Sequence, residues 1–391
     1  MPRKIWLLVI ATTINVTGGS FLWPLNTIYM HHELGKSLAF AGMILMFNQA
    51  AAVIGNLIGG MLFDRFSAYR SILIATSIAL SAAVIMSFNH SIVPYSIFLI
   101  VLGFGNGITW PILFAMAGSL WPDGGRKAFN AVYVAQNLGV AMGASLSGYV
   151  ASISFDYIFI ANAFFIAVFF LLVFFTFKPL DAVQNSSMHT SVVEQRGKFK
   201  RSPTLTALMI LCLGFLFIHI SYAQWQTTIA SHTQNIGIPV EQYSTIWAIN
   251  GFLIVLLQPL VQWFTNRVTS GKAHIYIGTT VMILSFVVVM QASQFTMFAV
   301  AMMILTMGEV LMWPAFPTLA HQLAPKGREG LYQGLVNSVA TIGRMIGPVA
   351  GGFIVDYFAI EKLFIAILVL LLIPYFTTFL FDKRVKEQIG G

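Results

Sequence analysis

Two ionisable residues, Glu309 and Arg344, stand in the middle of apolar stretches that are long enough to cross a membrane. A charged side chain in hydrocarbon is unfavourable, so residues of this kind usually serve a function. Glu309 precedes a short polar turn by about 12 residues and Arg344 follows it by about 15, which at 1.5 Å per residue gives depths of roughly 18 and 22 Å. We therefore expect the two side chains at a similar depth, where they could meet.

Two interpretations of this pair stay open. In the first, Glu309 and Arg344 form a buried ion pair that only tethers two helices, because burial alone forces charges to pair. In the second, Glu309 holds a proton while its site is empty and loses it when a cation or the opposite access state stabilises the carboxylate. Arg344 would then favour the ionised form of Glu309 and so take part in proton coupling.

Four tryptophans, Trp23, Trp110, Trp225 and Trp313, occupy positions that are related in pairs between the two halves of the chain. Tryptophan in a membrane protein often marks the interface between lipid and water. Aromatic faces also bind large apolar or cationic molecules without demanding one shape. We predict that these four residues line a substrate pocket, with the interfacial belt as the alternative.

Polar residues near these tryptophans would orient a substrate. The residues predicted to do so are Asn26, Asn106, His219 and Tyr222, and Asn48 and Asn250 could add further polar groups. For His219 the alternative is a role in helix packing, since a lone histidine in an apolar helix is more often a packing residue than a ligand. The predicted substrate site therefore combines these residues with the tryptophans and Glu309.

Closely spaced glycines mark one late helix. The stretch reads G-x-x-x-G-P-x-x-G-G, and its members are Gly343, Gly347, Pro348, Gly351 and Gly352. Small residues four apart let two helix backbones approach closely, and a proline inside a helix kinks it. The motif predicts a close helix crossing, which in a two-lobed protein would be the surface on which one lobe rocks.

The chain contains an internal repeat. Gly105 matches Gly308, and Trp110-Pro111 matches Trp313-Pro314 at the same spacing. With one inserted residue the glycines continue in step, so that Gly139, Gly143 and Gly148 match Gly343, Gly347 and Gly352. The halves are therefore one structural unit used twice in the same orientation. One matched pair differs in chemistry, because Asn106 of the first copy becomes Glu309 in the second, and we expect it to be the neutral counterpart across a central cavity.

The composition predicts an all-α integral membrane protein. The 391 residues are 58% hydrophobic and 9% charged, with a mean hydropathy of +0.82, which is too apolar for a water-soluble core. The single cysteine excludes a disulfide or a cysteine metal site. Twelve stretches are long enough to span: 5–29, 38–63, 70–89, 92–120, 127–153, 156–178, 204–230, 240–265, 272–292, 295–320, 330–355 and 361–381.

Charge and loop lengths divide these spans into two six-helix lobes. We predict an N-terminal lobe over 1–178, a basic cytoplasmic linker over 179–203 and a C-terminal lobe over 204–391. Eighteen of the 21 Lys and Arg residues then fall on the side of the termini, which the positive-inside rule assigns to the cytoplasm. The net charge of +8 is therefore a topology signal, and it does not indicate nucleic-acid binding.

The loop after the second span carries Gly60-x-Leu62-x-Asp64-Arg65, and with it the chain resembles the major facilitator superfamily along nearly its whole length. The resemblance implies a twelve-helix fold of two pseudo-symmetric lobes that works by alternating access. It also implies that Asp64 and Arg65 form a cytoplasmic charge cluster that latches the lobes.

Two further features resemble drug–proton antiporters of this superfamily. The G-x-x-x-G-P-x-x-G-G motif is similar to their antiporter signature, although it lies on the eleventh span, and on the fifth Ala144 replaces the proline. The Gly308-Glu309 pair with Pro314, and the run 135–138, resemble the LmrP type of multidrug antiporter. This resemblance implies that an acidic residue at position 309 helps to bind cationic or lipophilic compounds.

From these features we expect a multi-pass, monomeric secondary transporter of the cell membrane with cytoplasmic termini, which exports amphipathic or cationic drugs against protons. The alternatives are a lipid or glycolipid flippase on the same fold, and a nutrient carrier. Small substrates, protons and membrane lipids are the expected partners. We expect no enzymatic activity, cofactor, metal or nucleic-acid partner, since the sequence shows no metal-ligand cluster and no nucleophile–base pairing.

Overall fold

The computed structural model describes residues 1–22, 25–36, 38–89, 91–180 and 203–389, and helices dominate these ranges. The chain divides into two compact units. The N-terminal unit comprises Met1–Lys198 with Ala324–Ser338, and the C-terminal unit comprises Phe199–Leu323 with Val339–Gly391. Most of the predicted linker, 181–202, lies outside the described residues.

The N-terminal unit is built from long helices joined by short turns. In chain order they are α1 (Arg3–Leu22), α2 (Asn26–Ile28), α3 (Leu38–Arg65), α4 (Ala68–Phe88), α5 (Ile92–Leu120), α6 (Arg126–Ile153) and α7 (Phe155–Thr176). Within this unit α3 packs mainly against α5, and α1 packs mainly against α6.

The C-terminal unit repeats this pattern with more interruptions. Its helices are α8 (Pro203–Ala223), α9 (Thr228–Asn235), α10 (Val240–Leu256), α11 (Gln258–Arg267), α12 (Gly271–Met290), α13 (Phe295–Met312), α14 (Ala315–Leu323), α15 (Glu329–Phe358), α16 (Ile360–Leu370) and α17 (Ile373–Ile389). The first part of α15, to Ser338, clusters with the N-terminal unit.

Prolines account for two of these interruptions. Pro314 separates α13 from α14, whereas the matching Pro111 lies inside the continuous helix α5. Pro259 lies at the start of α11, whose axis is bent by 52° from that of α10. A proline lacks the N–H that the helix ladder needs, so each is a natural point for a bend.

The number of helices that can cross a membrane is slightly below the predicted twelve. Among the described residues, ten helical segments are long and apolar enough, or eleven if the bent pair α10 and α11 counts as one span. The predicted span over 127–153 is a helix, α6, that falls below this limit because polar residues interrupt it: Asn130, Gln136, Asn137, Ser145 and Ser147. An all-helical membrane protein is nevertheless what the chain forms.

Glycines produce the same close crossing in both units. A Cβ at Gly139 of α6 would lie 2.7 Å from the Cβ of Val16 on α1. A Cβ at the matching Gly343 of α15 would lie 2.5 Å from the Cβ of His219 on α8. Real Cβ atoms do not approach this closely, so the backbones of each helix pair meet where only glycine fits.

The start of α15 is held by an acidic side chain of the same unit. Asp64 Oδ1 accepts from the backbone N–H of Gly330 at 2.7 Å, and Oδ2 accepts from that of Leu331 at 2.8 Å. A helix N-terminus has unsatisfied N–H groups and partial positive charge, so a carboxylate stabilises it. Both amides belong to the stretch Ala324–Ser338, which groups with the N-terminal unit.

Candidate functional site

The site is centred on Glu309, which is 4% exposed in the interior of the C-terminal unit. Its Oε2 accepts a hydrogen bond from the side-chain amide of Asn250 at 2.9 Å, and its Oε1 accepts from the hydroxyl of Tyr222 at 3.4 Å. The Asn250 amide also donates to Thr306 Oγ1 at 2.9 Å. Thr306 lies three residues before Glu309 on α13, so both face α10.

Arg344 also lies near Tyr222. The Tyr222 side chain is within electrostatic range of both the Glu309 carboxylate and the Arg344 guanidinium. Arg344 Nη2 donates to Thr341 Oγ1 at 3.2 Å, one turn earlier in α15, and the residue as a whole is exposed. The structure therefore places the two predicted charges within electrostatic range of one side chain, Tyr222, with α8, α10, α13 and α15 as their scaffold.

Several aromatic rings pack together next to Glu309. The Trp313 indole stacks on the His219 imidazole with ring centroids 4.7 Å apart, and Tyr222 meets Trp313 edge-on at 5.3 Å. Phe215 meets His219 edge-on at 4.4 Å and stacks on Phe316 at 3.9 Å. Offset and edge-to-face pairs of this kind stabilise a rigid apolar surface. The site thus joins one buried acid to the half-buried rings of Tyr222 and Trp313, which the buried rings support.

Both ring nitrogens of His219 are buried, and among the described residues neither has a hydrogen-bond partner. The ring is 5% exposed and packs its Cβ against Gly343. This placement supports the packing role that we kept as an alternative, while the position beside Trp313 keeps His219 in the predicted site.

The first copy of the repeat lacks this chemistry. Asn48, which matches Asn250, donates to the backbone carbonyl of Leu99 at 2.6 Å. The positions that match Glu309, Arg344 and His219 are Asn106, Val140 and Val16. The ionisable groups therefore belong to the second copy, on a scaffold that both copies share.

Several predicted site residues have other surroundings. Trp225 is fully buried, and its backbone carbonyl accepts from the Tyr243 hydroxyl. Asn26 is 4% exposed and accepts from the Tyr95 hydroxyl at 2.7 Å. Both side chains therefore have packing partners within their units, and their assignment to substrate contact stays a prediction. Trp110 and Asn106 are half-buried, and Trp23 lies outside the described residues.

The structure also adds residues that sequence patterns did not assign to the site. Thr306 shares the Asn250 amide with Glu309, and Trp247 meets Tyr222 edge-on at 6.3 Å. The helical spacing between Thr306 and Glu309 was the available signal for the first. No motif indicated the second.

The rest of the glycine motif packs α15 against the end of α8. A Cβ at Gly347 would lie 2.8 Å from that of Ala223, and the side-chain amide of Gln224 donates to the Gly347 carbonyl at 2.7 Å. Gly351 meets the same Gln224 side chain, whereas Gly352 has open space around it. The motif therefore forms part of the wall of the C-terminal unit behind the site. Arg65, beside the helix-capping Asp64, is exposed.

Comparison with known proteins decides the family. The model of the Major Facilitator Superfamily matches residues 8–267 and 226–389, which together cover most of the chain. The chain belongs to the Major Facilitator Superfamily. As a member of this superfamily it is a secondary transporter and not an enzyme, and its all-helical membrane fold follows the prediction.

The chain is similar to two bacterial proteins along most of its length. The chain is 52% identical to the uncharacterized MFS-type transporter YttB of Bacillus subtilis (strain 168), covering 99% of this chain and 97% of YttB. It is 22% identical to the multidrug resistance protein MdtH of Shigella dysenteriae serotype 1 (strain Sd197), covering 90% of this chain and 86% of MdtH.

A solved structure shows the same superfamily fold. The human organic anion transporter MFSD10 matches with a TM-score of 0.77 at 13% identity, covering 97% of this chain and 100% of MFSD10. At this identity the likeness concerns the fold alone.

Proposed function

We propose that this superfamily member exports amphipathic cations in exchange for protons by alternating access, and that Glu309 binds the proton and the cation in turn. The observation that carries the proposal is the Glu309 carboxyl group, buried between the neutral donors Tyr222 and Asn250 and beside the Trp313 ring. Such a group has one negative charge to offer and a flat apolar surface next to it.

Exchange follows from competition for that charge. A buried carboxylate is costly unless a positive charge compensates it, and either a proton or the cationic group of a substrate can do so. Because both use the same oxygens, each weakens the binding of the other, and this coupling is reciprocal. Protons that enter on one side would thereby displace the substrate on that side.

The groups around Glu309 favour large cations with an apolar body. Tyr222 and Asn250 hold the Glu309 oxygens in place, so the carboxylate stays oriented when the proton leaves. Trp313 and Tyr222 offer ring faces to the apolar body of the substrate, which needs no single shape to bind there. A small hydrated ion would gain nothing from these rings.

Available gradients can drive such a cycle. Exchange of one proton for one singly charged cation moves no net charge, so the membrane potential does not drive it. A pH difference supplies about 1.4 kcal/mol per unit for each proton. One carboxyl group that alternates between proton and cation can therefore sustain a useful substrate gradient.

Family evidence points the same way. The resemblance of the Gly308-Glu309 and Pro314 region to LmrP-type antiporters, and the similarity to MdtH, both suggest drug efflux. We place the protein in the cell membrane with cytoplasmic termini, where its basic residues favour this orientation. Asp64 and Arg65 would form the cytoplasmic latch, and the glycine motif of α15 would allow the motion.

Proteoliposomes test the proposal. We expect Glu309→Gln to abolish export of a cationic dye, rhodamine B ethyl ester, driven by an imposed pH difference, because an amide cannot exchange a proton. The matched control is Glu361→Gln, which removes an exposed acid at the start of α16. Undiminished pH-driven export by Glu309→Gln would refute the proposal.

A lipid flippase is the second candidate, and the observation that favours it is the aromatic and charge-poor surface beside Glu309. Purified protein that moved a fluorescent phospholipid between leaflets without any pH difference would support this candidate. Movement of the dye alone would support drug export.

A further inference from the structure

Arg344 is a cation within the membrane helix α15, and its hydrogen bond among the described residues goes to a neutral hydroxyl group. Its Nη2 donates to Thr341 Oγ1 at 3.2 Å, and the side chain is exposed. A guanidinium has five N–H donors in a planar fork, so one bond to a neutral hydroxyl group leaves most of them available. An ionisable group within a membrane span is costly and usually marks a substrate or ion pathway.

The chemistry of that ligand follows from the group. A guanidinium fork matches the two oxygens of a carboxylate, or of a sulfonate or phosphate, in a bidentate arrangement. It does not match a cationic group, which Glu309 binds in the function proposed above. Arg344 is therefore complementary to an anionic oxygen group.

Both charges lie near the same aromatic rings, since Gly343, which precedes Arg344, packs against the Cβ of His219, and the His219 ring stacks on Trp313. Tyr222 lies within electrostatic range of both Glu309 and Arg344, and its ring meets Trp313 edge-on. A molecule that lies along these rings would place one end near the carboxylate and the other near the guanidinium. The matching residues of the first copy, Asn106 and Val140, carry no charge.

We propose that Arg344 binds an anionic oxygen group of the substrate, so that the preferred substrates are amphoteric: an aromatic body with a cationic group at one end and a carboxylate, sulfonate or phosphate at the other. The inference rests on the proposed function for the cationic end at Glu309. The same guanidinium chemistry could also take a free anion, and the experiment separates the two sources.

A matched pair of dyes tests the inference. Rhodamine B is a zwitterion with a free carboxylate, and its ethyl ester is a cation with the same aromatic body. We expect wild-type protein in detergent to bind the acid at least as tightly as the ester, measured by fluorescence polarisation. Arg344→Gln should lower the ratio of acid affinity to ester affinity roughly tenfold, because charge-assisted hydrogen bonds to the carboxylate are lost.

Two variants complete the series. Arg344→Lys keeps the charge and loses the fork, so it should give an intermediate ratio. Arg70→Gln removes an exposed arginine at the start of α4 and should leave the ratio unchanged. A ratio that Arg344→Gln does not alter would overturn the inference.

Adding inorganic phosphate to wild-type protein distinguishes an anionic group of the substrate from a free anion at Arg344. Competition of phosphate with the acid but not with the ester supports the inference. If phosphate tightens the binding of the ester, and the acid binds no more tightly than the ester, then Arg344 binds a free anion and the inference is wrong. If Glu309→Gln abolishes pH-driven export as expected but Arg344→Gln does not alter the affinity ratio of the two dyes, this inference is wrong and the proposed function stands.

Discussion

Glu309 Oε2 accepts a hydrogen bond from the Asn250 side chain at 2.9 Å, which joins α13 to α10 at the centre of the C-terminal unit. In the N-terminal unit the matching Asn48 donates to the Leu99 backbone carbonyl instead, and the position that matches Glu309 is Asn106. The two copies thus share an asparagine on equivalent helices, and the second copy uses it to hold an acid.

Asn250→Ala should weaken cation binding. The ionised carboxylate of Glu309 is the form that pairs with a cation, and it would lose a donor worth about 1.5–3 kcal/mol, so the dissociation constant of rhodamine B ethyl ester should rise about tenfold or more. Fluorescence polarisation measures this constant. Asn48→Ala is the matched control with a smaller expected effect, and equal effects of the two variants would contradict the role of Asn250.

Gly347→Ala should destabilise the C-terminal unit. The added Cβ would lie 2.8 Å from the Cβ of Ala223 and 2.9 Å from the Ile220 carbonyl oxygen, and such overpacking costs about 1–3 kcal/mol. Gly352→Ala on the same helix meets nothing within 4 Å and should be neutral or stabilising. Thermal unfolding in detergent compares them, and equal midpoints would show that the α8–α15 crossing is looser than described.

His219→Phe should raise the midpoint of thermal unfolding. Phenylalanine keeps the stack on Trp313 and removes two buried polar atoms that have no partner among the described residues, a change that favours the folded state by about 1 kcal/mol. His219→Ala, which also removes the stack, should lower the midpoint. If His219→Phe unfolds earlier than wild type, the imidazole nitrogens are satisfied in the folded protein.

Asp64→Ala should loosen the first turn of α15. The carboxylate accepts from the Gly330 and Leu331 amides, so we expect faster hydrogen exchange at these two amides, read by mass spectrometry. Asp64→Asn keeps one acceptor oxygen and should give an exchange rate between those of wild type and Asp64→Ala. Arg65→Ala serves as the control, because its side chain is exposed, and equal acceleration by Arg65→Ala would remove the special role of Asp64.

Sequence patterns located the main features of this fold because those features are periodic or costly. The repeat indicated equivalent glycine crossings, and Gly139 and Gly343 occupy corresponding close approaches. The energetic penalty of a charge in a membrane drew attention to Glu309 and Arg344. Equal depth along their helices indicated that they lie near one another, and both are within electrostatic range of Tyr222.

Tertiary packing decided what the patterns could not. A tryptophan ring suits a pocket and a core equally well, so nothing in the sequence separated the buried Trp225 from the half-buried Trp313. The same Trp-Pro pair continues the helix at Pro111 and interrupts it at Pro314. These outcomes depend on neighbouring helices, which local propensity does not contain.

The most direct test of the central claim is proton release on binding. Rhodamine B ethyl ester is added to purified protein in weakly buffered detergent, and the pH change is recorded against the amount of dye bound. If proton and cation compete for Glu309, wild-type protein releases up to about one proton per bound dye, and Glu309→Gln releases none. Dye binding by wild type without proton release, or equal release from Glu309→Gln, would contradict the account.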